Sequence, residues 1–169
     1  MKTLLTAIAA GLTLACASNA ALAQVTVTTT QSGTGNQAYT EQRSVQSVSA
    51  VTTQIGNNNI AGDPLARTGG ILQADSHDAI ASISQDGDAN NASIRQQESG
   101  LSQVSITQTG DGNVATASQQ GSFSTGIGLE QVGTENTIDV QQTSVSSFSA
   151  FVRQEGSRNQ ATVRQVNSD

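Results

Sequence analysis

From Val25 onward, apolar and polar residues alternate in short runs. One run reads Ala79, Ala81, Ile83 and Gln85 at every second position, with Ser82 and Ser84 between them. Another reads Ser102, Val104, Ile106 and Gln108, separated by Gln103, Ser105 and Thr107. The next reads Asn113, Ala115, Ala117 and Gln119, with Thr116 and Ser118 between. Later runs keep the rhythm in Ile127, Leu129 and Gln131, in Ile138, Val140 and Gln142, and in Ala161, Val163 and Gln165. Successive strand side chains point to opposite faces, so the alternation predicts β-strands with one buried face. Paired runs are joined by Gly-x-x-Asn, as in Gly110-Asp111-Gly112-Asn113. Such a segment predicts a tight turn, because Gly takes positive φ at low cost and Asn tolerates the left-handed region.

The runs belong to a repeat: Gln, one residue, Gly, two residues, Asn, one residue, Ala, three residues, Gln. Full copies are Gln31, Gly33, Asn36, Ala38, Gln42; Gln85, Gly87, Asn90, Ala92, Gln96; Gln108, Gly110, Asn113, Ala115, Gln119; and Gln154, Gly156, Asn159, Ala161, Gln165. A further copy, Gln131, Gly133, Asn136 and Gln142, has Ile138 in place of Ala. Another keeps Gln54, Gly56, Asn59 and Ala61 and then loses register. The first glutamines are 23, 31, 23, 23 and 23 residues apart. Gln73 lies 12 residues before Gln85, the normal spacing, and is therefore the second glutamine of the second repeat. Eight extra residues then fall within 62–70, a stretch holding Pro64 and the Gly69-Gly70 pair, which are loop residues.

A fixed period of this length predicts stacked units rather than one compact core. The fold class is all-β: a flat β-solenoid of six strand-turn-strand repeats forming two parallel sheets with amyloid-like stacking. Rungs about 4.8 Å apart would give a stack of about 29 Å, with the sheets about 10 Å apart. The inward amides need partners, since an unsatisfied buried amide costs about 1–3 kcal/mol. Stacking supplies them when the same amide recurs one rung above and below, as in Asn/Gln ladders. The predicted self-assembly ladder comprises the eighteen such positions, namely Gln31, Asn36, Gln42, Gln54, Asn59, Gln73, Gln85, Asn90, Gln96, Gln108, Asn113, Gln119, Gln131, Asn136, Gln142, Gln154, Asn159 and Gln165. The predicted turn glycines are Gly33, Gly56, Gly87, Gly110, Gly133 and Gly156. The repeats begin and end close to the ends of the processed chain, leaving no room for a polar cap, so end-to-end polymerisation is expected.

The first residues read differently. Met1-Lys2, an apolar run from Leu4 to Ala15 and the small-x-small site Ala21-Leu22-Ala23 describe a secretory signal cleaved after Ala23. The apolar run is too short to span a membrane. Cys16, the only cysteine, lies inside it, with Thr13 where a lipid-attachment signal would carry Leu. The chain from Gln24 thus has no disulfide or thiolate metal site. It has six arginines, no lysine and 13 acidic residues, a net charge of −7. That balance speaks against nucleic acid and anionic membranes as partners. Aromatic residues, at 2%, are too few for an ordinary core.

The motif, its period and the preceding secretion signal resemble the curlin repeat, whose family forms curli, the extracellular amyloid fibres of bacterial biofilms. The resemblance covers nearly all of residues 24–169. It implies a secreted, non-enzymatic structural subunit that joins head to tail with its own copies at the cell surface and serves adhesion and surface colonisation. It also implies a nucleator subunit and an outer-membrane secretion pore as partners, with no small-molecule substrate or cofactor. The chain departs from the family in lacking a Gly-rich leader before the first repeat and in carrying the insertion. Three of the six arginines (Arg153, Arg158, Arg164) fall in the last repeat, a trait of the minor, nucleating subunit. The intact ladder of that repeat instead suits a fibre-forming subunit, and the nucleator stands as the alternative.

Other chemistry is weakly signalled. Asp86-Gly87-Asp88 and Asp111-Gly112-Asn113 faintly resemble calcium turns but lack the close Gly-Gly-x-Gly-x-Asp spacing, so the acids read as charge gatekeepers at rung edges. His77, with Asp75 and Asp78, reads as a solvated connector rather than a metal cluster. No catalytic, cofactor-binding or metal residue is assigned. Tyr39 is expected to face outward, and Phe148 inward in the last repeat. A monomeric solenoid binding ice or glycans would need an outward Thr array, whereas the outward residues vary (Ser82, Gln103, Arg153). A polysaccharide-lyase-like solenoid would need clustered acids and bases on one face and longer rungs.

Overall fold

The computed structural model describes residues 12–17, by their backbone, and residues 24–62 and 70–167. The cleavage site at Ala23, Lys2 and most of the apolar run, Pro64 and Gly69 lie outside the described residues.

The described chain is all-β. Its strands are β1 (Leu12–Ala17), β2 (Val25–Ser32), β3 (Gln37–Arg43), β4 (Val48–Ile55), β5 (Ile60–Ala61), β6 (Gly70–Ala74) and β7 (Ile80–Asp86). They continue as β8 (Asn91–Gln97), β9 (Gln103–Thr109), β10 (Val114–Gln120), β11 (Gly126–Thr134), β12 (Thr137–Thr143), β13 (Ser149–Ser157) and β14 (Gln160–Val166). One sheet runs β13-β11-β9-β7-β4-β2; the other runs β1-β3-β5-β8-β10-β12-β14, with β6 continuing the β5 row between β3 and β8. Each repeat gives one strand to each sheet and all pairings are parallel, so the fold is a β-solenoid of six coils.

The register follows the repeat. Gln85 pairs with Gln108 and Gln108 with Gln131; Gln96 pairs with Gln119 and Gln119 with Gln142. Because the period is kept, inward positions line up in columns between the sheets. Ile83, Ile106 and Leu129 form one and Ile94, Ala117 and Val140 another, all buried. Each fully buried Ile or Leu contributes about 1.5–3 kcal/mol relative to exposure. Ile138, the residue that breaks the Ala column, is also buried there.

The second rung has a gap in its pairing. Ala38 pairs with Ala61 and Thr40 with Ile71, while Gly70 pairs with Ser93. Gly70 therefore fills the place of an ordinary outward residue, and the extra residues leave after Ala61 and return before it. At Gly70 a Cβ would lie 2.0 Å from the Tyr39 carbonyl oxygen, and its φ is +69°, so only glycine fits.

Two sequence expectations are corrected. Tyr39 has outward parity but is buried, at 4% exposure, and its hydroxyl donates to Glu41 Oε2 at 2.9 Å. Its neighbour in the next rung is the point where the insertion leaves the sheet, and there outward does not mean exposed. Phe148 shares its column with the buried Ala79, Ser102 and Thr125 but is 56% exposed. It belongs to the last described rung, so nothing covers it from above.

β1 pairs in parallel along β3, from Leu12 opposite Ala38 to Ala17 opposite Arg43. It contributes a single edge strand. Residues 24–62 and 70–167 make every other strand pairing among themselves, so the solenoid from Gln24 is a self-contained set of rungs.

Candidate functional site: the amide ladders

The ladder residues come together as three continuous stacks. In the first, Gln31 Nε2 donates to Gln54 Oε1 at 2.6 Å, Gln54 to Gln85 at 2.8 Å, Gln85 to Gln108 at 2.9 Å, Gln108 to Gln131 at 2.9 Å and Gln131 to Gln154 at 3.2 Å. The second runs Gln42, Gln73, Gln96, Gln119, Gln142, Gln165 through bonds of 2.6–3.1 Å. Interior members are buried. The second Nε2 hydrogen is used as well: Gln54 donates to the Gln37 carbonyl at 2.9 Å and Gln108 to that of Asn91 at 3.0 Å. A buried amide donor thus has its partners, which removes the desolvation cost of an unpaired one.

The third stack corrects the role given to asparagine. The left-handed residue of each first turn is the one before the motif Asn: Gly35, Asn58, Ala89, Gly112, Glu135 and Arg158 all have positive φ, and the motif Asn does not. The Asn works through its side chain instead. Asn90 Nδ2 donates to the Gly110 carbonyl at 2.6 Å, and Asn90 Oδ1 accepts the Asn113 backbone N–H at 3.0 Å. The same pair of bonds joins Asn113 to Gly133 and Asn136. Asn36, Asn59, Asn90, Asn113 and Asn136 each clamp their own turn to the next in this way, while Asn159, in the last described rung, donates back to Asn136 Oδ1 and to the Glu155 carbonyl.

The turn glycines are constrained twice. Gly33, Gly56, Gly87, Gly110, Gly133 and Gly156 have φ between +104° and +121°. At the first five, a Cβ would lie 1.9–2.2 Å from the carbonyl oxygen of the equivalent glycine one rung on. Backbones stack so closely here that a side chain would separate the rungs.

Several functional contacts have only weak sequence signals. A further turn ladder uses side-chain oxygens to hold backbone N–H groups: Asn57 Oδ1 accepts from Thr34 N at 3.0 Å, Asp88 Oδ1 from Asn57 N at 2.7 Å and Asp111 Oδ1 from Asp88 N at 2.8 Å. Asp88 and Asp111 therefore act as turn acceptors. In the second connector, Ser76, Ser99 and Ser122 are buried and donate to the carbonyls of Ala74, Gln97 and Gln120 at 2.8–3.1 Å. Their recurrence at the repeat period is the signal that finds them. The same connector holds left-handed residues at Asp75, Asp78, Glu98 and Leu101.

His77 does not converge with Asp75 and Asp78 on a common point. Its ring packs against Phe123, centroids 5.1 Å apart at 56°, across the glycine of the rung between, Gly100. Among the described residues, no group of three or more His, Cys, Asp or Glu is placed to hold a metal ion. The guanidinium of Arg43 bonds to Glu41, which holds its pKa above the ordinary arginine value.

No family model matches the chain, and no characterised protein matches its sequence.

Proposed function

We propose that the chain is a secreted structural subunit that assembles end to end into extracellular, amyloid-like fibres of the curli type, with residues 1–23 removed on export. The fibres would serve a biofilm matrix and adhesion, and the subunit would work without catalysis, cofactor or small-molecule substrate. A nucleator subunit and an outer-membrane pore are the expected partners.

One observation carries the reading: every rung presents the same amides to the next in the same direction. A surface that stacks on its own copy inside the chain is fitted to stack on its copy in another chain. The curlin-like motif and the signal-like first residues supply the rest. The last repeat keeps its ladder, with Gln165 Oε1 accepting from Gln142 at 2.6 Å, which favours a fibre-forming subunit over a nucleator.

The test is assembly of the purified chain from Gln24 after removal of denaturant, followed by amyloid-dye fluorescence and electron microscopy. The expected result is a soluble phase, a lag and then unbranched fibres without added seed. A dye-negative monomer persisting for days at high concentration would overturn the proposal.

A further inference from the structure

The two sheets end level at the last rung and unevenly at the first. The last rung gives β13 to one sheet and β14 to the other. At the start, β2 is the edge of its sheet, but β3 is not the edge of the other. β1 lies beyond it, paired in parallel from Leu12 opposite Ala38 to Ala17 opposite Arg43. One sheet is thus six rows deep and the other seven, with β5 and β6 sharing a row. The extra row is a step of about 4.8 Å.

The step decides what can stack there. A rung brings two strands at one level, joined by a tight turn, as β13 and β14 are. A rung whose one strand pairs with β1 holds its other strand about 9.6 Å from β2, twice the spacing of hydrogen-bonded strands. The edge of β2 then stays unpaired, and an unpaired edge is what a stacking rung must cover. The amide ladder is interrupted as well. Cys16 stands in register with Gln42, and residues 1–23 contain no glutamine. Beneath β1, Gln42 Oε1 is buried and has no hydrogen-bond partner. β1 therefore occupies the backbone edge of β3 without continuing the side-chain ladder.

We propose that β1 is an intramolecular cap that holds the first rung closed to a second copy until residues 1–23 are removed. The cap rests on the fibre reading and adds to it a control on when assembly starts. Removing residues 1–23 leaves both sheets six rows deep and flush. A copy that keeps them has an open last rung and a closed first rung, so such copies do not polymerise with one another. Mixed with fibres of the shortened chain, such a copy joins through its last rung at the fibre end that shows a first rung. It then offers the next arrival only its closed rung. At the opposite fibre end it does not join at all. The uncapped and capped forms thus differ in a directional way: the capped chain terminates one end of a fibre and ignores the other.

The test compares the full chain with the chain from Gln24, each released from denaturant, by dye fluorescence and by imaging of single fibres. The chain from Gln24 should form fibres, and the full chain none in the same period. A small proportion of full chain added to growing fibres should stop growth at one end and leave the other end growing. A full chain carrying Leu14→Pro and Ala15→Pro keeps the bulk of residues 1–23. Neighbouring N–H groups point to opposite edges of a strand, so one of the two prolines removes a donor facing β3. This variant should assemble as the chain from Gln24 does. The contact itself is checked by oxidation, because Cys16 is the only cysteine. With Gln42→Cys it has an in-register partner at about 4.8 Å, within the roughly 4.4–6.8 Å Cα separation that a disulfide spans. A disulfide within the chain should form there and not with Thr40→Cys, two positions away. Fibres from the unaltered full chain at the rate of the chain from Gln24, equal arrest of both fibre ends, a proline variant that stays inert, or cross-linking without register preference would each overturn the cap. If the chain from Gln24 forms no fibres, the fibre reading falls and the cap with it. If both chains form fibres alike, the fibre reading stands and the cap alone falls.

Discussion

Gln108 Nε2 donates to Gln131 Oε1 at 2.9 Å inside the solenoid, while Gln103, five residues earlier on the same strand, lies exposed on its outer face. The two glutamines differ only in parity. Gln108→Ala leaves Gln85 Nε2 short of its ladder acceptor and Gln131 Oε1 short of its donor, at about 1–3 kcal/mol, while each keeps its partner on the far side. Gln103→Ala alters a solvated position and should stay within about 0.5 kcal/mol. Urea unfolding of the soluble chain checks the pair, and the lag before assembly should lengthen for the first variant alone.

Thr52 should be improvable. It faces inward, is buried, and its hydroxyl oxygen has no hydrogen-bond partner. Its column continues with Ile83 and Ile106. Thr52→Val keeps the shape and removes the unsatisfied hydroxyl, so stability should rise by about 1 kcal/mol. A raised urea midpoint with an unchanged slope is the expected readout.

The first turn offers a matched pair of opposite sign. Ala89 has φ +57°, a conformation costing an L-residue about 1–2 kcal/mol. Ala89→Gly should stabilise by about 0.5–1 kcal/mol once the flexibility of glycine in the unfolded chain is set against that gain. Gly110→Ala should be severe, because its Cβ would lie 2.2 Å from the Gly133 carbonyl oxygen at φ +104°. Strain and overpacking together predict a loss of at least about 3 kcal/mol. Thermal melts of the two variants should move in opposite directions.

What the sequence disclosed and what it did not divide along physical lines. The inward face was legible because strand side chains alternate strictly and the period keeps like residues in one column; Gln85 over Gln108 follows from spacing alone. Exposure was less legible, because parity gives the face and not what covers it. Tyr39 lies between β1, where Thr13 is its partner, and the break in pairing at the insertion, neither of which parity discloses, and Phe148 is exposed because it sits in the last described rung. The turn Asn was found but misassigned, since αL tolerance and side-chain clamping favour the same residue type. The left-handed positions of the second connector were hidden because Asp75, Glu98 and Leu101 carry no glycine signal; their conformation is imposed by stacked backbone bonds such as Glu98 N to the Ala74 carbonyl at 3.0 Å.

Removing residues 62–69 should leave the fold intact. Gly70 already occupies the rung position opposite Ser93, so joining it to Ala61 makes an ordinary coil. Loop length itself costs little, about 0.6 kcal/mol per doubling. Fibres of the deletion variant should form at a similar or faster rate and seed the unaltered chain. Loss of assembly would mean that the insertion contributes a contact required for stacking.

Fibre mass per unit length tests most directly whether intact solenoids join end to end. Six rungs spaced at about 4.8 Å place one chain in every 29 Å or so of a single filament. Scanning transmission electron microscopy of unstained filaments should return that value, with a meridional reflection at about 4.8 Å from the same sample. One chain per roughly 4.8 Å would mean that the chain unfolds its solenoid and stacks flat as an ordinary in-register amyloid, and that result would contradict end-to-end joining of folded subunits.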